Sequence, residues 1–290
     1  MKTLLLGAAV LAAVASNPQI RRPFKSDPPK ICPSCSDWNV DIDPVRLFGN
    51  TYYVGTKGLS SILITSERGH ILLDGGLAQS AELIDRHIRK LGFATEDVRL
   101  IVNSHGHYDH AGGIHALQVA SGARVAASRS GADALRRGEN TADDPQFGFG
   151  HASNEFPPVR KVKVVRDGEV LRVGALAITA HLTPGHTPGS TTWTWKSCEG
   201  ARCLDIVYAD SLNAISAPGF KYSADPARVA LFRRSIATVA ALPCDIVIAV
   251  HPNLTGLDEK IAGKSFVDPQ GCRTYAAEAA RVLDARLASE

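Results

Sequence analysis

The stretch Asn103-Ser104-His105-Gly106-His107-Tyr108-Asp109-His110 places three imidazoles and a carboxylate within six consecutive positions. Burial of so many polar groups is costly unless each finds a partner, so a core alone gives no reason to crowd them. One or two cations would satisfy them together. In extended backbone His105 and His107 project to the same side and can share one ion, while Asp109 and His110 serve a neighbouring position. Imidazole and carboxylate donors suit zinc, and a catalytic zinc site keeps one position for water.

A first ion needs a third ligand, and the Pro/Gly-rich bend Leu182-Thr183-Pro184-Gly185-His186-Thr187-Pro188-Gly189 offers His186 on rigid turn residues. A second ion needs one more, and His251 follows directly after the apolar run Asp245 to Val250. Water bridging two zinc ions ~3.5–4 Å apart has its pKa lowered toward about 7 and supplies hydroxide at neutral pH. Neither a Gly-x-Ser-x-Gly elbow nor a Ser-x-x-Lys motif occurs in the chain, which argues against a serine nucleophile. His70, His87, His115, His151 and His181 lack clustered partners and read as structural. His181 lies near His186, but residues five apart on a strand face opposite ways.

The elements that must position these residues are legible as short apolar runs between turns. Thr51 to Val54, Ser61 to Thr65, His70 to Asp74, Leu100 to Val102 and Arg124 to Ala127 read as strands. Leu83, Ile84, His87, Ile88 and Leu91 recur at helical spacing, and helices are expected over Gly113 to Ser121 and Arg129 to Arg136. Gly138 to Pro158 has no apolar period, and a stretch of that length reads as a functional loop flanking the site. Strands return at Lys161 to Val165, Glu169 to Val173, Leu176 to His181, Thr191 to Lys196, Asp205 to Ala209 and Asp245 to Val250. Helices follow around Val229 to Val239 and over Thr274 to Leu287. Sheet with helices occurs twice, with no linker between, and this favours two sheets face to face with helices outside.

The chain has 290 residues, 44% hydrophobic and 21% charged, enough for one large core. A net charge of +3 with no basic run interleaved with aromatics gives a nucleic-acid partner no electrostatic support. Met1-Lys2, the apolar run Leu4 to Val14 and Ala13-Val14-Ala15 have the form of a secretory signal over 1–15, too short to span a bilayer. Residues 16–37 then form an N-terminal extension and 38–290 a single domain. All six cysteines lie beyond Ser16, and an even count in an exported chain points to disulfides. Cys198 and Cys203 enclose a hairpin-like span that a bridge can close. Cys32, Cys35, Cys244 and Cys272 are left to arrange, and Cys32-Pro-Ser-Cys35 also has the spacing of half a zinc site or a redox pair.

The motifs "HGHYDH", "PGHTPGS", "YADSL" and "VHP" together resemble the metallo-β-lactamase superfamily, over nearly all of the chain after Trp38. "GHTPGSTTWTW" and "ALPCDIVIAVHP" are most similar to class B β-lactamases of the third subclass. That resemblance implies an αββα sandwich of two mixed sheets and two Zn2+ per chain. It assigns His105, His107 and His186 to the first ion and Asp109, His110 and His251 to the second. It implies attack of a zinc-bridging hydroxide on a β-lactam carbonyl without an acyl-enzyme, with Asp109 orienting the nucleophile. Ser211 and Asn213 match positions that contact the substrate carboxylate. A bridge between Cys244 and Cys272 is implied, with a second between Cys198 and Cys203, leaving Cys32 and Cys35 to each other. A periplasmic or secreted monomer acting on small β-lactams, with no membrane span, is the expectation.

The runner-up is a lactonase or glyoxalase-type thioesterase on the same fold, in which an aspartate bridges the metals, and Asp210 is its candidate. A non-catalytic, zinc-stabilised binding protein is the third reading, and six intact ligand positions argue against it.

Overall fold

The computed structural model describes residues 24–263 and 265–290; the signal over 1–15 and the start of the extension lie outside the described residues. Two sheets carry the fold. The first runs in chain order through β1 (Val45–Phe48), β2 (Thr51–Tyr53), β3 (Ile62–Ile64), β4 (His70–Leu73), β5 (Val98–Val102), β6 (Arg124–Ala127) and β7 (Val162–Val164). It is antiparallel up to β4 and parallel from β4 to β7. The second has the order β12-β11-β10-β9-β8, from β8 (Val170–Val173), β9 (Leu176–Leu182), β10 (Thr191–Glu199), β11 (Arg202–Ala209) and β12 (Ile246–Ala249). Only its β11–β12 pair is parallel. Both sheets are therefore mixed, as the two-sheet reading expects.

Alternation builds the layer between the sheets. Trp193 and Trp195 of β10 and Ile206 and Tyr208 of β11 meet Tyr53, Ile62, Ile71 and Leu73 of the first sheet in one buried cluster. Helices close the outer faces. α2 (Ser80–Lys90), α4 (Ile114–Ser121) and α5 (Arg129–Arg137) cover the first sheet through Ile84, Ile88, Leu117 and Leu135. α7 (Pro226–Ala241) and α9 (Gly271–Ala288) cover the second through Phe232, Ile236, Tyr275 and Leu283. The short α1 (Cys35–Trp38), α3 (Tyr108–Ala111), α6 (His151–Asn154) and α8 (Leu257–Ala262) complete the α-helices of the described residues. α7 starts where its sequence says it should, with Asp225 accepting from the Arg228 N–H and Pro226 in the first turn.

The elements differ from the sequence reading in several places. Residues 138–158 hold two helical turns, Phe147–Phe149 and α6, closed by the Asn154 amide donating to the carbonyls of Gln146 and Phe147. The β10–β11 hairpin runs further than expected because Cys198 and Cys203 face each other in its register and are bridged. β1 and α8 are too short to stand out by periodicity. Cys32–Cys35 and Cys244–Cys272 are also disulfides, and no cysteine is free among the described residues.

Candidate metal centre

The parallel strands converge on one edge of the sandwich, and chemistry-bearing residues lie just past their C-terminal ends. β4 leads to Asp74, β5 to His105 and His107, the turn α3 carries Asp109 and His110, β11 ends before Asp210, and β12 before His251. His186 sits in the bend between β9 and β10. Two close approaches need glycine. A Cβ on Gly106 would stand 2.4 Å from the Ala134 Cβ, and one on Gly185 would stand 2.2 Å from the Phe232 ring. α5 and α7 can thus press directly on the two loops that hold histidines.

The rings of His105, His107 and His186 form a triangle with centroids 4.7, 4.9 and 5.0 Å apart. One ligand atom from each lies within 4.8 Å of the others. Beside it, His110 Nε2 is 3.2 Å from Asp109 Oδ2 and 3.3 Å from His251 Nε2, and His251 Nε2 is 3.4 Å from the same carboxylate oxygen. The edges of a tetrahedral zinc site with ordinary bond lengths are roughly 3.3–3.4 Å, so this second triangle already has the size of one. The His105 and His110 rings, 4.4 Å apart, form the wall the two triangles share.

Four of the five rings have one nitrogen occupied by the protein, which decides the nitrogen left for a cation, while His110 Nδ1 is buried with Asp74 Oδ2 4.0 Å away and no hydrogen-bond partner. His105 Nδ1 lies 2.7 Å from Asp210 Oδ1, and its buried Nε2 has no partner. His186 Nδ1 donates to the Asn213 carbonyl at 2.8 Å, and His251 Nδ1 donates to the Gly58 carbonyl at 3.2 Å. His107 is held through Nε2, at 3.1 and 3.2 Å from the two oxygens of Asp144. An orphaned buried imidazole nitrogen and two complementary donor triangles are what a pair of zinc ions requires.

Electrostatics agree with that use at His105, His186 and Asp109; at His107 and His110 burial acts to lower the imidazole, but Asp144 and Asp109 more than offset it and raise both. Burial, then the neighbouring imidazoles, keeps His105 well below the usual histidine range, and burial holds His186 down to about 3, so both stay neutral. Burial would raise the Asp109 carboxyl, but His110 and His251 hold it well below the usual range, as a carboxylate. Asp74 is pushed up to about 6 by burial. Its oxygens nonetheless accept from the Ser104 N–H and hydroxyl, the Asn103 amide and the Tyr208 hydroxyl. This fixes the start of the histidine loop.

All six expected ligands come together. Of the two residues expected to meet substrate, Asn213 lies half-buried with its carbonyl on His186, whereas Ser211 is only 1% exposed. The histidines read as structural have protein partners: His115 with Asp27, His87 with Asp41, His181 with Thr194, His151 with Glu139 and Glu155, and His70 with the Ser66 N–H. Asp74, Asp144 and Gln146, whose amide lies 3.5 Å from His186 Nε2, escaped the sequence reading. A charge ending the buried run "HILLD" was the available signal for Asp74; nothing local distinguishes Asp144.

The model of the Metallo-beta-lactamase superfamily matches residues 54–251. Among solved structures, the Rm3 metallo-beta-lactamase is 52% identical with a TM-score of 0.86, over 89% of this chain and 98% of that one. MEM-A1, a subclass B3 metallo-beta-lactamase isolated from a soil metagenome library, is 49% identical with a TM-score of 0.84, over 87% and 98%. A hydroxyacylglutathione hydrolase of Anaeromyxobacter dehalogenans (strain 2CP-C) is 30% identical over 178 residues, 61% of this chain but only 56% of that protein's length. The folded sandwich, the convergent donors at its edge and these likenesses lead to one conclusion: the chain belongs to the metallo-β-lactamase superfamily.

Proposed function

We propose that the chain is a dizinc β-lactamase that hydrolyses the strained amide of penicillins, cephalosporins and carbapenems. His105, His107 and His186 would hold one cation, and Asp109, His110 and His251 the other. When bound, the pair supplies Lewis acidity for the carbonyl oxygen and the departing nitrogen and makes water nucleophilic at neutral pH. The chain's own groups orient the reactants. Asp109 meets His110 and His251 through Oδ2, which leaves Oδ1 to accept from the attacking water, while Asn213 beside His186 would meet the substrate carboxylate. Water adds to the carbonyl carbon, the C–N bond breaks and the nitrogen takes up a proton, with no bond to a protein side chain.

The observation that carries this reading over a lactonase or thioesterase is the place of Asp210. Its Oδ1 lies against Nδ1 of His105, across the ring from the nitrogen left for a cation, with Oδ2 buried and unpartnered, and this contact supports a buttressing role over a bridging one. The 49% identity to a subclass B3 enzyme supports the same choice. Three disulfides support an exported, periplasmic or secreted setting, and no helix of the described residues is long and apolar enough to cross a membrane.

Turnover of a carbapenem, nitrocefin, an acyl-homoserine lactone and an acyl-glutathione thioester is to be measured side by side, with zinc content. Rapid β-lactam hydrolysis by protein holding two zinc ions is expected, lost on chelation without unfolding. Rapid lactone or thioester hydrolysis with inert β-lactams would reject the proposal.

A further inference from the structure

Asp144 comes from the polar stretch between α5 and β7, far in sequence from the histidines, yet it is 4% exposed and both its oxygens lie at hydrogen-bond distance from His107 Nε2. His107 is the one ring of its triangle whose carboxylate or carbonyl partner sits at Nε2; His105 and His186 have theirs at Nδ1. Reversing it about the Cβ–Cγ bond would exchange each nitrogen for a carbon, leaving C–H groups facing both Asp144 and the other two histidines. A single interaction therefore decides whether this ring offers a donor at all.

We infer that Asp144 is a positioning residue for the first metal site: by accepting the Nε2–H of His107 it fixes the ring so that Nδ1 faces His105 and His186. The inference rests on the dizinc reading. The carboxylate is itself held in place, since Oδ1 accepts from the Gln146 N–H at 2.7 Å and the Asp144 N–H donates to the Thr141 carbonyl at 2.9 Å. Arg228 of α7 ties the stretch down by donating to the Asp143 carbonyl at 3.0 Å. His105, His186 and His251 use Asp210 or backbone carbonyls for the same purpose, so a carboxylate delivered by a long connection is peculiar to His107. If the contact were only a buried fold-stabilising pair, its loss would lower the melting temperature and leave metal affinity alone.

The test compares zinc-loaded full-length protein with Asp144→Ala and Asp144→Asn, by zinc release to a graded chelator, thermal melting and nitrogen-15 NMR of the imidazoles. The parent should carry its His107 proton on Nε2, shifted by the carboxylate. Asp144→Ala should release one of its zinc ions at about 10–100-fold lower chelator strength, the usual effect of removing a group that orients a ligand. Asp144→Asn, which keeps an acceptor and the bond from Gln146, should melt like the parent and lose affinity less, with the His107 resonance moved. Should the alanine variant fail to fold, the asparagine variant and the parent spectrum decide. Variants that release zinc like the parent, or a parent with the His107 proton on Nδ1, overturn the inference alone; a parent that binds no zinc overturns the dizinc reading with it.

Discussion

His110 Nε2 and His251 Nε2 lie 3.3 Å apart across 141 residues of sequence, one on the turn after β5 and the other at the end of β12. Two sheets must be stacked before this pair can exist, so the second half of the site reports on the whole sandwich. His251→Ala should accordingly leave one zinc ion per chain and lower kcat/KM for β-lactams by about 100-fold or more, the scale of losing one source of transition-state charge stabilisation. Zinc analysis with steady-state kinetics checks this, and a variant that retains two ions would place the ligand elsewhere.

Asp210 separates two functions of one fold. As a buttress of His105, its replacement by Ala should weaken zinc binding by about 10–100-fold, and Asp210→Asn, which still offers an acceptor, should do less. Competition with a chromophoric chelator measures it. If Asp210→Asn alone strips one ion outright, the residue is a ligand and the thioesterase reading revives.

The bridge Cys244–Cys272 closes a span of 28 residues and ties the approach to β12 to the start of α9. Loop-closure entropy gives it about 3–4 kcal/mol. Replacing both cysteines by alanine should lower the melting temperature by roughly 10 °C. An unchanged melting temperature in calorimetry would mean that packing of Cys272 into the α7–α9 cluster does the work.

Glu290 links the last helix to the segment before α7. Burial would raise its carboxyl, but the Ser223 and Tyr222 N–H groups and Arg286 bring it down to about 2 from an ordinary value of 4.5. A group depressed on folding adds stability above its unfolded value and loses it as pH falls toward the folded one. The melting-temperature gap between the parent and Glu290→Gln should therefore be full at pH 6 and close between about pH 4.5 and 2. A gap independent of pH would show that the hydrogen bonds, not the charge, matter.

Much of the site was legible because its ligands are either crowded, as at His105 to His110, or isolated on rigid bends and strand ends, as at His186 and His251. The strands that carry them are apolar runs bounded by Gly and Pro. What escaped are residues whose role depends on tertiary approach. Asp144 looks like any loop acid until α7 and the Asn154 amide fold its segment over His107. Ser211 looks exposable beside a strand end, yet it is buried in the fold. β1 and the turns in 138–158 are too short for periodicity to mark them.

The central claim is that six side chains hold two cations, and diffraction data collected on either side of the zinc absorption edge test it directly. Two anomalous peaks are expected, one among His105, His107 and His186 and one among Asp109, His110 and His251. A single peak, or a second one ligated by Asp210 in place of His251, would contradict the account.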